Sequence, residues 1–92
     1  MRPSGNPELI NALALEIKAR RLELGYSQED LAGHCELDRP YISLLEVGRK
    51  QPTLSVLYRI ALGLDLTLEE FSRRIEHRYV ALKRLAARAA KT

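Results

Sequence analysis

The chain has 92 residues, 15 Lys and Arg against 12 Asp and Glu, a formal net charge of +3, and only four Tyr and one Phe as aromatics. That length holds one small core but no cleft between domains; a single cysteine excludes an intramolecular disulfide and, with two scattered histidines, a zinc site. No apolar run approaches the ~20 residues of a membrane span and the N-terminus lacks a signal-peptide core, so the expectation is a soluble, cytoplasmic, all-α protein that needs no cofactor and no metal.

Residues 1–6 read as a flexible arm, whose Arg2 either frays in solvent or reaches a phosphate or minor groove. The first helix is predicted over 7–24. Asn6 is its N-cap, Pro7 sits at N1, Glu8 favours the positive helix end, and Gly25 closes it. Leu13, Ile17 and Leu24 form a core stripe, flanked by Arg20 and Arg21. A second stripe, Ala12, Leu15, Ala19 and Leu22, repeats at helical spacing on another side and calls for a partner elsewhere.

The second helix, 28–35, starts at Ser27 with Asp30 three residues on, a capping-box spacing, and turns Leu31, Ala32 and Cys35 inward. Cys35 on that stripe reads as a small core hydrophobe rather than a nucleophile, and His34 as a turn residue. The third helix, 39–47, has Asp38 as N-cap, Arg39 and Pro40 in its first turn, and Gly48 as its stop. Ile42, Leu45 and Glu46 share one face. Two short helices joined by a tight turn form a helix-turn-helix.

A fourth helix is predicted over 54–63, capped by Thr53 behind Pro52. Leu54, Leu57, Ile60, Ala61 and Leu64 face inward, Tyr58 and Arg59 outward, and Gly63 ends it. The fifth, 68–90, opens with the capping box Thr67 to Glu70 and closes the core with Phe71 and Ile75. No Gly or Pro interrupts it afterwards. Leu68, Ile75, Leu82 and Ala89 recur every seven residues with Phe71 and Leu85 between, and Arg78 breaks the stripe. The fold expected is a compact all-α five-helix bundle whose last helix is extended.

Charge divides unevenly along the chain. Residues 1–72 hold 8 Lys and Arg and 11 Asp and Glu; residues 73–92 hold 7 and 1. The basic extension 73–92 lacks the bulky aromatics of a membrane-surface helix. An amphipathic helix of this kind is unstable alone. It is expected to pack on the helix 1 stripe, within one chain or across two, with Leu15, Leu22, Ile75, Leu82 and Leu85 as a homodimer interface.

Taking Ile42 and Leu45 as inward, 100° steps put Pro40, Ser43, Leu44 and Val47 on the opposite face of the third helix, with Tyr41 at its margin. Arg39 precedes them at the end that enters a major groove. Its guanidinium can bond guanine O6 and N7 together, or else meet a phosphate or the nearby Asp38 and Glu36. Ser43 can meet most bases. Tyr41 reaches a phosphate through its hydroxyl or covers the helix 2 side, and Arg49 and Lys50 just past the helix are phosphate ligands or partners of its negative end.

The run SQEDLA (27–32), the small Cys35, YISLLE (41–46), Gly48-Arg49, Pro52-Thr53-Leu54, IALGL (60–64) and TLEEF (67–71) resembles the lambda/434-repressor and Cro-like (Xre-type) helix-turn-helix proteins over residues 9–72. The resemblance implies a sequence-specific regulator binding double-stranded DNA over residues 7–72, as a dimer on a palindromic operator. It implies that Gln28 clamps a phosphate, that Leu44 meets base edges, and that Arg21 and Glu46 form a structural ion pair. Glu36 stands where the family usually has glycine. An antitoxin of the same fold is a neighbouring reading, and the net −3 of residues 1–72 leaves open a helical adaptor without DNA binding.

Overall fold

The computed structural model describes residues 5–91, so the predicted arm contact of Arg2 lies outside the described residues. Five helices follow in order: α1 Pro7–Glu23, α2 Gln28–Cys35, α3 Arg39–Glu46, α4 Leu54–Gly63 and α5 Leu68–Lys91. Each boundary falls within one residue of the sequence expectation. The reason is local chemistry at the starts: Asn6 Oδ1 accepts from Leu9 N, Ser27 Oγ from Asp30 N and Thr53 Oγ1 from Val56 N. Thr67 and Glu70 cap α5 reciprocally, as Ser27 and Asp30 cap α2. Asp38 occupies the N-cap of α3 by its extended backbone, but its side chain makes no capping bond.

The helix ends share one device. Gly25, Glu36, Gly48 and Asp65 each adopt positive φ, at 73°, 56°, 74° and 59°. In each case the following residue donates its N–H back to a carbonyl five positions earlier: Tyr26 to Arg21, Leu37 to Ala32, Arg49 to Leu44 and Leu66 to Ala61. These 6→1 closures satisfy carbonyls that the helix leaves open. They also tuck Leu66 into the core and pack the partly buried Leu37 against it.

Ile17, Leu31, Ile42, Leu45, Ile60 and Phe71 are fully buried, one or two from every helix, and so is Leu64 at the C-cap of α4. Each such side chain stabilises the fold by about 1.5–3 kcal/mol relative to exposure. Several expectations need correction here. Ala12 belongs to this core, whereas Leu24 is only partly buried. Leu54 is 71% exposed, because the chain turns into α4 at the molecule's edge. Gly63 is the last residue of α4 as expected, but the left-handed residue that closes the helix is Asp65, and Gly63 serves close approach. A Cβ there would lie 2.4 Å from Cys35 Sγ, so only glycine lets α4 pass the end of α2. Arg59 is not simply outward: it donates from Nε to Cys35 O (3.2 Å) and from Nη2 to Glu36 O, closing the carbonyl end of α2.

The fifth helix packs on α1 of the same chain, and not through the Leu15/Leu22 stripe. Glu16 is buried between the helices and accepts from Arg74 Nε and Arg78 Nε, both at 2.7 Å, while Arg74 Nη2 reaches Glu23 at 2.6 Å. Asn6 Nδ2 donates to the Tyr79 hydroxyl at 3.2 Å. These contacts run the helices antiparallel, and they explain Arg78, which interrupted the apolar heptad because it faces a buried carboxylate. Ile75 is 7% exposed inside this single-chain core, so it is unavailable to an interface. Leu82 is partly buried against the same core, while Leu15, Leu22 and Leu85 are exposed.

Candidate nucleic-acid interface

The α2–α3 unit is held from below by one carboxylate. Arg21 grips Glu46 with two bonds, Nε to Oε2 at 2.7 Å and Nη2 to Oε1 at 3.0 Å, and its Nη1 donates to Tyr26 O at 2.8 Å. Gln28 Nε2 donates to Glu46 Oε1 at 3.2 Å. The pair that the family resemblance implied is therefore present, and Glu46 ties the middle of the molecule to both helices: α1 through Arg21, the first turn of α2 through Gln28. The Glu46 side chain is 3% exposed. The carboxylate beside it, through its hydrogen bond, holds the Arg21 guanidinium above its ordinary pKa.

On this platform α3 turns Ile42 and Leu45 into the core. Arg39 and Pro40 at its start are exposed, and Ser43 and Leu44 are half-buried on the rim. Val47 is exposed at its end. Tyr41 packs partly against the core and carries the Lys50 Nζ 6.0 Å from its ring centroid, at the outer reach of a cation–π contact. Arg49 and Lys50 are exposed in the turn beyond. Gln28 lies at the first position of α2, where backbone amides have no intrahelical acceptor; its side chain keeps one Nε2 hydrogen and Oε1 beyond the bond to Glu46.

The turn between the helices is set by Glu36, left-handed at φ 56°, ψ 45°. Behind it His34 stacks on Tyr26 with ring centroids 4.6 Å apart. Cys35 is buried, and burial pushes its thiol up to about 11, far from a reactive thiolate. Among the described residues no group of His, Cys, Asp and Glu is arranged to hold a metal ion, and no helix is long and apolar enough to cross a membrane.

Sequence reasoning missed the two groups that fix the platform's flank: Glu16 with Arg74 and Arg78, and Arg59 on the α2 carbonyls. The first was signalled by a lone glutamate inside an apolar run facing two arginines spaced one turn apart. The second had no sequence signal, since it depends on how α4 crosses α2.

Comparison with known proteins agrees with this geometry. The control protein C.MunI of Mycoplasma sp is 39% identical over 59 residues, covering 64% of this chain and 80% of its own. YqaF of Bacillus subtilis, an HTH-type transcriptional regulator, is 35% identical over 54 residues, covering 56% of this chain and 71% of its own. Among solved structures, the restriction–modification controller protein C.Esp1396I, a tetramer in complex with its 35-base-pair operator, superposes with a TM-score of 0.74. It is 35% identical and covers 78% of this chain and 95% of its own. The clp gene regulator ClgR of Corynebacterium glutamicum, 22% identical, shares the fold with a TM-score of 0.78 over 97% of this chain and 92% of its own. A helix-turn-helix family model matches residues 17–71, and the chain belongs to that family.

Proposed function

We propose that this protein is a sequence-specific DNA-binding transcriptional regulator of the repressor or controller kind, working in the cytoplasm as a homodimer on a palindromic operator. The observation that carries the reading is the rigid α2–α3 unit, locked through Glu46, with the start of α3 left open to solvent. A helix held this way enters a major groove as a fixed body, and its first residues meet base edges. Arg39, Ser43 and Leu44 read the bases: Arg39 by its fork on guanine, Ser43 by its hydroxyl, Leu44 against a thymine methyl. Gln28, Tyr41, Arg49 and Lys50 hold phosphates on either side and set the register. A fork on guanine discriminates by about 1–3 kcal/mol.

Two copies place their α3 helices one DNA turn apart, ~34–36 Å. An exposed apolar row suits a second copy: Leu54, Tyr58 and Leu62 recur every four residues on α4, at 71%, 49% and 56% exposure. That row replaces the interface expected from α5, since Ile75 is spent inside the chain. The tetrameric state of C.Esp1396I on its operator supports self-association as the use of such a row.

The test is selection of bound duplexes from a random pool, followed by competition binding. A palindromic sequence preferred over a scrambled duplex is expected, with Arg39→Ala altering the preferred base and Lys50→Ala weakening all duplexes alike. Recovery of no consensus sequence overturns the reading. Solution mass tests the dimer: Tyr58→Glu with Leu62→Glu is expected to give a monomer with unchanged helicity, and a dimer that survives both changes removes the α4 row.

A further inference from the structure

The helix-turn-helix does not account for the far end of α5. Of its cations, Arg73 pairs with Glu69, and Arg74 and Arg78 are taken up by Glu16 and Glu23. Lys83, Arg84 and Arg88 have no ion pair among the described residues, and the last acidic residue of the sequence is Glu76. Arg84 and Arg88 are one turn apart on one side of the helix, where like charges repel. A helix that merely extends into solvent offsets such a pair with interleaved carboxylates. Attraction of cations to the negative helix end acts only within the last turn, which leaves Lys83 and Arg84 outside its reach.

Position adds to charge. Gln51 and Pro52, which follow Arg49 and Lys50, line one groove with Asn6, Glu76 and Tyr79. Gly5 also lies against Gln51. The fifth helix therefore leaves the body of the protein beside the turn proposed to hold phosphates, and every charged residue after that exit is basic. Two such ends repel each other, which disfavours a second copy of the helix as the occupant.

We propose that residues 83–91 of α5 form a second, sequence-independent DNA contact, with Lys83, Arg84 and Arg88 on phosphates that flank the half-site read by α3. This rests on the DNA-binding function proposed above. It lengthens the footprint without adding base recognition, since the neighbouring Ala and Leu side chains carry no groups that read base edges.

The experiment measures the salt dependence of binding to two mixed-sequence duplexes, one of about four helical turns and one of about one turn. Each phosphate contact contributes about 0.9 to the slope of log affinity against log salt. Lys83→Ala/Arg84→Ala/Arg88→Ala is expected to lower the slope by about 2–3 on the long duplex and leave the short one unchanged. The exchange Lys83→Arg/Arg84→Lys/Arg88→Lys, which keeps the charges, is expected to restore it. Circular dichroism confirms that α5 stays helical in both. A triple variant with the unaltered slope on the long duplex overturns the proposal and points to an acidic protein partner instead. Arg49→Ala/Lys50→Ala separates the two readings: it is expected to lower the slope on both duplexes, and its silence overturns the primary site while leaving the α5 result to stand or fall separately.

Discussion

Glu36 holds a backbone conformation that suits glycine, and removing its side chain is expected to stabilise the protein. At φ 56° and ψ 45° its Cβ crowds the following carbonyl, which costs an ordinary L-residue about 1–2 kcal/mol. The side chain is exposed, and among the described residues no hydrogen bond to its carboxylate offsets that cost. Glycine adopts the angle freely but loses more conformational freedom on folding, about 0.5–1 kcal/mol. The difference leaves Glu36→Gly more stable by about 0.5–1 kcal/mol. For a domain of this size that is roughly 2–8 °C in Tm. Urea unfolding with an unchanged slope measures it, and Gly25→Ala serves as the mirror experiment. Gly25 has φ 73° with nothing within 4 Å of an added Cβ, so it loses stability by strain alone. A Glu36→Gly protein no more stable than the parent, beside a destabilised Gly25→Ala, refutes the reasoning about this turn.

Three further outcomes are expected. Glu46→Ala leaves the buried Arg21 without its carboxylate, with only the Tyr26 carbonyl still accepting from it, and costs about 3–5 kcal/mol, whereas Glu16→Ala frees arginines already 35% and 37% exposed and costs less; thermal melts of both variants rank them. Gly63→Ala forces its Cβ to 2.4 Å from Cys35 Sγ, an overpacking worth about 1–3 kcal/mol; adding Cys35→Ala recovers part of the loss, and strictly additive effects would contradict the contact. The capping carboxylates of Asp30 and Glu70 are held below their ordinary range, each first by the backbone N–H of its cap residue, Ser27 and Thr67. Because their folded pKa values are depressed, their contribution is present above the unfolded values, about 3.9 and 4.3. It is lost as pH falls through the folded values. Tm is expected to drop on acidification, and Asp30→Asn/Glu70→Gln to flatten that drop.

The sequence revealed the helices and their starts because capping is local: Asn6, Ser27, Thr53 and Thr67 act within one turn. It revealed the Arg21–Glu46 pair only through family resemblance. The fate of α5 was not legible in the same way. Leu15 and Leu22 looked like the acceptor for its apolar stripe, yet Glu16 on the neighbouring face offered a stronger hold to two arginines, and heptad counting has no term for a buried carboxylate. Leu54 shows the complementary failure. Its spacing matched the α4 core stripe, but the stripe runs off the body of the protein before reaching it. Gly63 was legible as a glycine that mattered, not as the point where α4 crosses Cys35, which is a fact of tertiary packing.

The most direct test of the DNA-reading role is the affinity of the parent chain and Arg39→Ala for a selected operator and for the same duplex with each guanine of a half-site replaced in turn. The parent is expected to lose about 1–3 kcal/mol at one guanine, and Arg39→Ala to bind more weakly and be indifferent there. Equal affinity of the parent for operator and scrambled duplexes contradicts base reading by α3.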